Sequence, residues 1–263
     1  MAALILSVIT VCRNAKTPLE ATMENILSQD FAGFEYLVID GASDDGTPEF
    51  LEKCGRKFNE KEIPFRFVSE PDRGIYDAMN KGTRLAAGEW LLFLNAGDLL
   101  SSAHILSMLF PVEADVQILY GDTICVYQGR RGLYPALPLD RLKEEMAFCH
   151  QSAFIKRELL LETPYDISYR ICADHHFFLR MYLDGKVFAY HPEPIAIYEI
   201  SGYSDEHPLR SHREQRRMQR ELGVFHLSPA RILRECTFYL KLGIKKIFGQ
   251  RLIDRVRKSR LHA

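Results

Sequence analysis

The stretch Leu4-Ile5-Leu6-Ser7-Val8-Ile9-Thr10-Val11 constrains this chain more than any other feature, being a mostly apolar run without charge and without alternation. Such a run suits a parallel strand covered on both faces, since a half-solvated strand would alternate apolar with polar. The strand should lie mid-sheet. Thr17-Pro18-Leu19-Glu20 then reads as a capping box with Pro at the first helical position, and Leu19, Met23, Ile26 and Leu27 recur at helical spacing. A second strand at Tyr36–Ile39 runs into the turn-rich, acidic loop Asp40–Thr47. A third at Phe65–Val68 runs into Glu70–Gly74, followed by a helix from Ile75 to Ala87 that Gly88 closes as a C′ residue, and by a fourth strand at Trp90–Leu94.

Alternating strands and helices with short connections predict an α/β fold, a mostly parallel central sheet flanked by helices. Ligands in such sheets bind outside the carboxyl ends of the strands. Four loops converge there: Cys12 to Asn14, Asp40 to Asp45, Asp72 with Arg73, and Asn95 to Asp98. Asp, Asn and Gly follow any strand because they make turns, so the convergence of all four carries more than any one of them. Beyond Pro111 the pattern changes. Gln117–Tyr120 and Thr123–Tyr127 read as strands with a hairpin turn at Gly129–Gly132. A helix around Leu139–Met146, a short strand at Ser152–Ile155 and a helix over Ala173–Leu183, stopped by Gly185, follow.

Several classes are excluded. The six cysteines are scattered without a Cys-x-x-Cys pair, which predicts reduced thiols, no zinc and a cytoplasmic setting. The apolar N-terminal run lacks the basic flank of a signal peptide, and no run approaches the roughly 20 residues that cross a bilayer. No GxGxxG follows the first strand, and GxxxxGK[ST], HExxH and GxSxG are absent. His175 and His176 read as ordinary helix positions. The chain is almost neutral, with 34 Lys plus Arg against 35 Asp plus Glu, yet from about Ser204 onward it is strongly basic.

Carboxylates gathered at strand ends repel one another unless a cation relieves them. Mg²⁺ or Mn²⁺ is held by one or two carboxylates with phosphate oxygens and water completing the shell, and Asp98 is the leading candidate for that ligand. Asp40, at the end of the second strand, is suited to accept the N–H of a pyrimidine base.

Taken together, Ser7–Val11 with Asn14, Ile39–Thr47, Asp72–Gly82 (Asp-Arg-Gly-Ile-Tyr-Asp-Ala-Met-Asn-Lys-Gly) and Ala87–Asp98 resemble family 2 glycosyltransferases of the GT-A fold. The resemblance is closest to bacterial exopolysaccharide enzymes, including the colanic-acid type, and covers about Leu4 to Ser204. It implies a hexosyltransferase that inverts configuration while moving a sugar from a nucleotide-diphosphate donor, a UDP-sugar by expectation, to a glycan or lipid-linked acceptor in surface polysaccharide biosynthesis. By position, Thr10, Val11, Cys12 and Arg13 would line the nucleoside pocket, partly through backbone groups, and Asp40 would bind the base. Asp72, Arg73, Asn80 and Asn95 would lie along the donor. Asn95-Ala96-Gly97-Asp98 stands where the family carries its Asp-x-Asp metal motif, and only Asp98 offers an ionised oxygen. Asp174 matches the general base at a helix start, and His150 and Gln151 match a His-Gln segment that contacts acceptor or sugar.

The resemblance divides the chain into a transferase domain over 1–204, with a nucleotide-binding half (1–98) and an acceptor-binding half (99–204), and a basic amphipathic helical region over 205–263. That region suits peripheral contact with the cytoplasmic face of an anionic membrane, or is a solvated face; no nucleic-acid module accompanies its charge. Two other readings stay open. One is a catalytically weak nucleotide-sugar-binding partner of another transferase. The other is an NDP-sugar nucleotidyltransferase, which needs a glycine-rich loop after the first strand that Arg13-Asn14-Ala15-Lys16 does not supply.

Overall fold

A computed structural model describes residues 4–199 and 207–248. The first half runs β1 (Leu6–Cys12), α1 (Lys16–Leu27), β2 (Phe34–Asp40), α2 (Thr47–Glu60), β3 (Phe65–Ser69), α3 (Ile75–Leu85) and β4 (Trp90–Phe93). Then come β5 (Leu99–Leu100), α4 (Ile105–Leu109), β6 (Ile118–Tyr127), β7 (Arg130–Tyr134), β8 (Ala153–Lys156), α5 (Arg157–Glu162), α6 (Ala173–Leu183), β9 (Phe188–Glu199), α7 (Pro208–Glu221) and α8 (Pro229–Phe248). Short 3-10 turns at Leu139–Lys143 and His150–Ser152 precede β8.

The strands form one sheet in the order β3-β2-β1-β4-β8-β6-β9-β5, with β7 paired to β6. The β3-β2-β1-β4 part is parallel, as expected from the βα alternation. Beyond it β8 runs antiparallel between β4 and β6, and β6 and β9 are parallel across a register shift near Asp122. All seven residues of β1 and of β2 are buried, which is why their sequences do not alternate. Ile9, Val11, Leu37 and Ile39 face a core built with α3, α5 and α6, whereas Leu6, Val8, Tyr36 and Val38 face one built with α1, α2 and α4.

Several local expectations are corrected. The helix α1 begins at Lys16, and no side chain caps it; Thr17 already lies inside, so the Thr-Pro-Leu-Glu box does not form. Gly88 is not a C′ residue. It brings the start of β4 against β1, where a Cβ would stand 2.6 Å from the Leu6 carbonyl carbon and the Ser7 nitrogen, and its N–H donates to Ser7 Oγ at 2.9 Å. The two strands expected over 117–127 are one strand carrying a bulge. Its hairpin turns at Gln128-Gly129, both at positive φ, because a two-residue turn of that hand matches strand twist. The helix expected near 139–146 shrinks to the 3-10 turn. The helix α2, with Leu51, Cys54 and Phe58 buried at helical spacing, and the strand β9 were not anticipated.

Candidate active site

β1 connects toward β2 on one side of the sheet and β4 lies on its other side, so chain direction across the sheet reverses between β1 and β4. Parallel α/β sheets open a ligand crevice at that point. Thr10–Arg13 and Asn95–Asp98 border it. The 95–98 turn is fixed by an Asp98 N–H to Asn95 carbonyl bond of 3.0 Å, by Gly97 at φ +100°, and by Thr22 of α1, whose Oγ1 receives the Gly97 N–H and donates to the Asp98 carbonyl.

Four donor-side candidates have side chains that pair or pack within the fold. Thr10 is fully buried, with Oγ1 donating to the Leu94 carbonyl at 2.6 Å and receiving the Tyr36 hydroxyl at 2.9 Å. Val11 points into the core, so only the backbone of this pair borders the crevice. Asp40 is also fully buried: its oxygens receive the Ser43 N–H at 3.0 Å, the Ser69 hydroxyl at 2.6 Å, the Ser43 hydroxyl and the Cys12 thiol at 3.7 Å. With four donors on two oxygens, Asp40 organises the loop after β2. Asn80 is buried on α3, donates to the Tyr165 carbonyl and accepts the Tyr165 N–H, so both ends of its amide fasten the 165 loop. The partners of Thr10, Asp40 and Asn80 share a cause, because a buried polar side chain must find its partners within the fold.

Others do border the opening. Arg13 is exposed. Cys12 is buried against Asp40, and burial followed by that neighbouring carboxylate pushes its thiol up to about 12, so it is no nucleophile. Asp72 is half-buried, accepts the Gly74 N–H at 2.8 Å and lies over Gly41, where a Cβ would meet its Oδ2 at 2.6 Å. Arg73 is exposed and paired with Asp77 at 3.2 Å.

On the far side stands a chain of polar groups drawn from four separate segments. Asp174, at the first turn of α6, receives its own His175 N–H at 2.8 Å and has the Tyr76 hydroxyl 2.9 Å from Oδ1. That hydroxyl also lies 2.6 Å from the Ile171 carbonyl. His150 Nδ1 lies 3.5 Å from Asp174 Oδ2, and Nε2 lies 3.4 Å from Asn95 Nδ2. Burial lowers the His150 pKa, with the Asp174 carboxylate opposing, so the ring is neutral at pH 7. Beside it Gln151 donates to Asp98 Oδ2 at 3.2 Å. Asp98 is buried, and loss of water pushes its carboxyl up to about 7. The structure thus brings Asn95, Asp98, His150, Gln151 and Asp174 together, with Tyr76 as a member that sequence reasoning passed over although it lies inside a motif already singled out. His175 donates its Nε2–H to the Leu142 carbonyl, and His176 stacks on Tyr169, as ordinary helix positions do.

Among the described residues no group of three or more His, Cys, Asp or Glu could hold a metal by itself. The donor set nevertheless fits a cation that arrives with a diphosphate, since such ions need only one or two protein ligands. Asn95 Oδ1, on the same turn as Asp98, is a buried acceptor without a partner among the described residues. All six cysteines are free, and no helix of the described residues is long and apolar enough to cross a membrane.

The comparisons with known proteins bear on family and fold. A PGL/p-HBAD biosynthesis glycosyltransferase of Mycobacterium tuberculosis is 33% identical over 230 residues, covering 85% of this chain and 88% of its own length. Among solved structures, Staphylococcus aureus TarS superposes with a TM-score of 0.64 at 19% identity over 86% of this chain, which spans 41% of the TarS chain. The mannosyltransferase PcManGT of Pyrobaculum calidifontis, solved with GDP-Man and Mn²⁺, gives 0.64 at 20% identity over 88% of this chain and 67% of its own. Their likeness is one of fold, a curled central sheet flanked by helices. Residues 7–188 match the family described as Glycosyl transferase family 2, and the chain belongs to that family of glycosyltransferases.

Proposed function

We propose that this glycosyltransferase inverts the configuration of a sugar as it transfers it from a nucleotide-diphosphate donor, UDP in the first instance, to a hydroxyl of a glycan or lipid-linked acceptor in surface polysaccharide biosynthesis. The observation that carries the reading is the meeting of Asp174 with His150 and Tyr76, and of His150 in turn with Asn95. Asp174 takes the proton of the acceptor hydroxyl, and the acceptor oxygen forms its bond to the anomeric carbon. The bond to the diphosphate oxygen breaks on the opposite face, which inverts the centre. Tyr76 and the His175 N–H hold the Asp174 carboxylate in place, and His150 ties it to the donor side through Asn95. Mg²⁺ or Mn²⁺, held by Asp98 and Asn95, would neutralise charge on the departing diphosphate.

Nucleotide specificity is also part of the proposal. TarS has been solved with UDP-GlcNAc and PcManGT with GDP-Man, so fold alone leaves uridine and guanosine open. Backbone groups of Thr10–Arg13, the Asp72 carboxylate and Arg73 are the donor contacts we favour. Residues 1–204 form the transferase domain in this reading, with nucleotide-binding and acceptor-binding halves meeting at residue 98. The 204/205 boundary, and the cations at Arg251, Arg255, Arg257, Lys258 and Arg260, lie outside the described residues.

On α8, Ile232, Leu233, Cys236, Tyr239 and Leu240 are exposed and fall within about 120° of helical arc. We assign this stripe, in a basic stretch of sequence, to an anionic membrane surface that carries the acceptor. A second reading, the catalytically weak partner, is favoured only by Asn95 and Gly97 in the metal turn, and turnover by the purified chain would exclude it.

Thermal-shift titration with UDP, GDP, CDP and dTDP, each with and without Mn²⁺, tests the donor site, because selective binding raises the melting temperature by mass action. A uridine-selective rise that Mn²⁺ strengthens supports the reading. Absence of any shift with all four nucleotides overturns it.

A further inference from the structure

The segment leading into α6 is held from outside the family-matched region, which ends at residue 188. Glu214, on α7, is 9% exposed, and its carboxylate receives three successive backbone N–H groups. Oε2 accepts from Arg170 at 3.0 Å, Ile171 at 2.8 Å and Cys172 at 3.2 Å, and Oε1 accepts from Arg170 at 3.1 Å and lies 3.4 Å from Arg210 Nε. These amides, which precede the first turn of α6, are received by a carboxylate brought in from 42 to 44 residues along the chain. Three amide donors in a row form a concave, positively polarised seat for an anion, and burial strengthens each bond.

Two of these three residues are pinned from the opposite direction as well. The Tyr76 hydroxyl lies 2.6 Å from the Ile171 carbonyl, and the Arg170 guanidinium donates to the Arg73 carbonyl. Residue 171 is therefore held through both its N–H and its C=O, three residues before Asp174. The rest of α7 reinforces the seat: Gln219 donates to the Lys143 carbonyl at 2.9 Å, Gln215 to the Glu144 carbonyl at 2.6 Å, and Met218 is fully buried in the core that contains α6. The adjoining Leu142 carbonyl meets His175 Nε2 at 2.7 Å, so the helix bearing Asp174 is fixed at two points by elements that α7 supports.

We propose that Glu214 is a positioning residue for the transfer reaction: it fixes the 170–172 segment so that Asp174 faces the crevice. This rests on Asp174 being the base. Misplacing a reacting group by about 1 Å costs on the order of 100-fold in rate, which sets the scale of the expected effect. Glu214→Ala leaves three amides without their acceptor, whereas Glu214→Gln keeps one oxygen at the seat.

The test compares the full-length chain with Glu214→Ala, Glu214→Gln and Asp174→Asn. UDP release is measured with a panel of UDP-glucose, UDP-galactose and UDP-N-acetylglucosamine, UDP binding by calorimetry, and hydrogen exchange over 165–180 by mass spectrometry. Expected are faster exchange at 170–175 in Glu214→Ala, a kcat lowered 10- to 100-fold with UDP affinity unchanged, and recovery of most of kcat in Glu214→Gln. Unchanged exchange at 170–175 overturns the proposal whether or not a donor turns over. Full kcat in a folded Glu214→Ala overturns it while Asp174→Asn is inactive, leaving the base assignment standing. Full activity in Asp174→Asn instead removes the base reading, and the Glu214 proposal with it.

Discussion

Asp98 joins the donor turn to the Gln151 amide, and its charge can be tested without knowing any substrate. Burial raises its carboxyl from 3.8 to about 7, against the pull of Gln151 and of the Asn95 backbone. Below pH 3.8 the group is protonated in the folded and unfolded chain alike. Between that value and about 7 the folded chain keeps a proton that the unfolded chain gives up, so stability falls as pH rises, then levels off. At about 1.4 kcal/mol per pH unit the whole loss is on the order of 4 kcal/mol, of which about 2 kcal/mol falls between roughly pH 5.5 and 8.5. Asp98→Asn keeps an acceptor for Gln151 and removes the titration. Urea unfolding of both proteins at the two pH values should show the variant gaining about 2 kcal/mol on its parent at the higher pH. A stability difference that does not change with pH refutes the argument that Asp98 is a buried carboxyl with a raised pKa.

Other outcomes follow from packing and charge. Gly88→Ala forces a Cβ onto the β1 backbone, which cannot swing aside as a side chain can, and should cost about 1–3 kcal/mol in chemical denaturation; an unchanged midpoint would show that β4 shifts freely. Asp40→Asn turns an amide N–H₂ toward hydroxyl, thiol and backbone donors and should lose about 2–3 kcal/mol. If it instead alters only nucleotide selectivity at unchanged stability, Asp40 is the base reader after all. Replacing Leu233 and Leu240 by Ser should weaken sedimentation with vesicles of anionic phospholipid while leaving the melting temperature intact, and equal binding by parent and variant would remove α8 as the contact.

The sequence by itself determined the βα rhythm, the parallel strands β1 to β4 and the loops that carry the crevice, because buried strands and amphipathic helices must write their environment into residue order. It also singled out Asp98, His150, Gln151 and Asp174, which the fold then brings near one another. Burial and partnering were decided only by tertiary structure. Asp40, Thr10 and Asn80 look like ligand contacts as a list of polar residues at strand ends, yet their partners Ser69, Leu94 and Tyr165 lie 29, 84 and 85 positions away. The roles of Tyr76 and Glu214 were hidden for the same reason. A hydrogen bond depends on distance in space, and local sequence pattern reports only the geometry of one helix or strand, so contacts between elements become legible only once the sheet has been assembled.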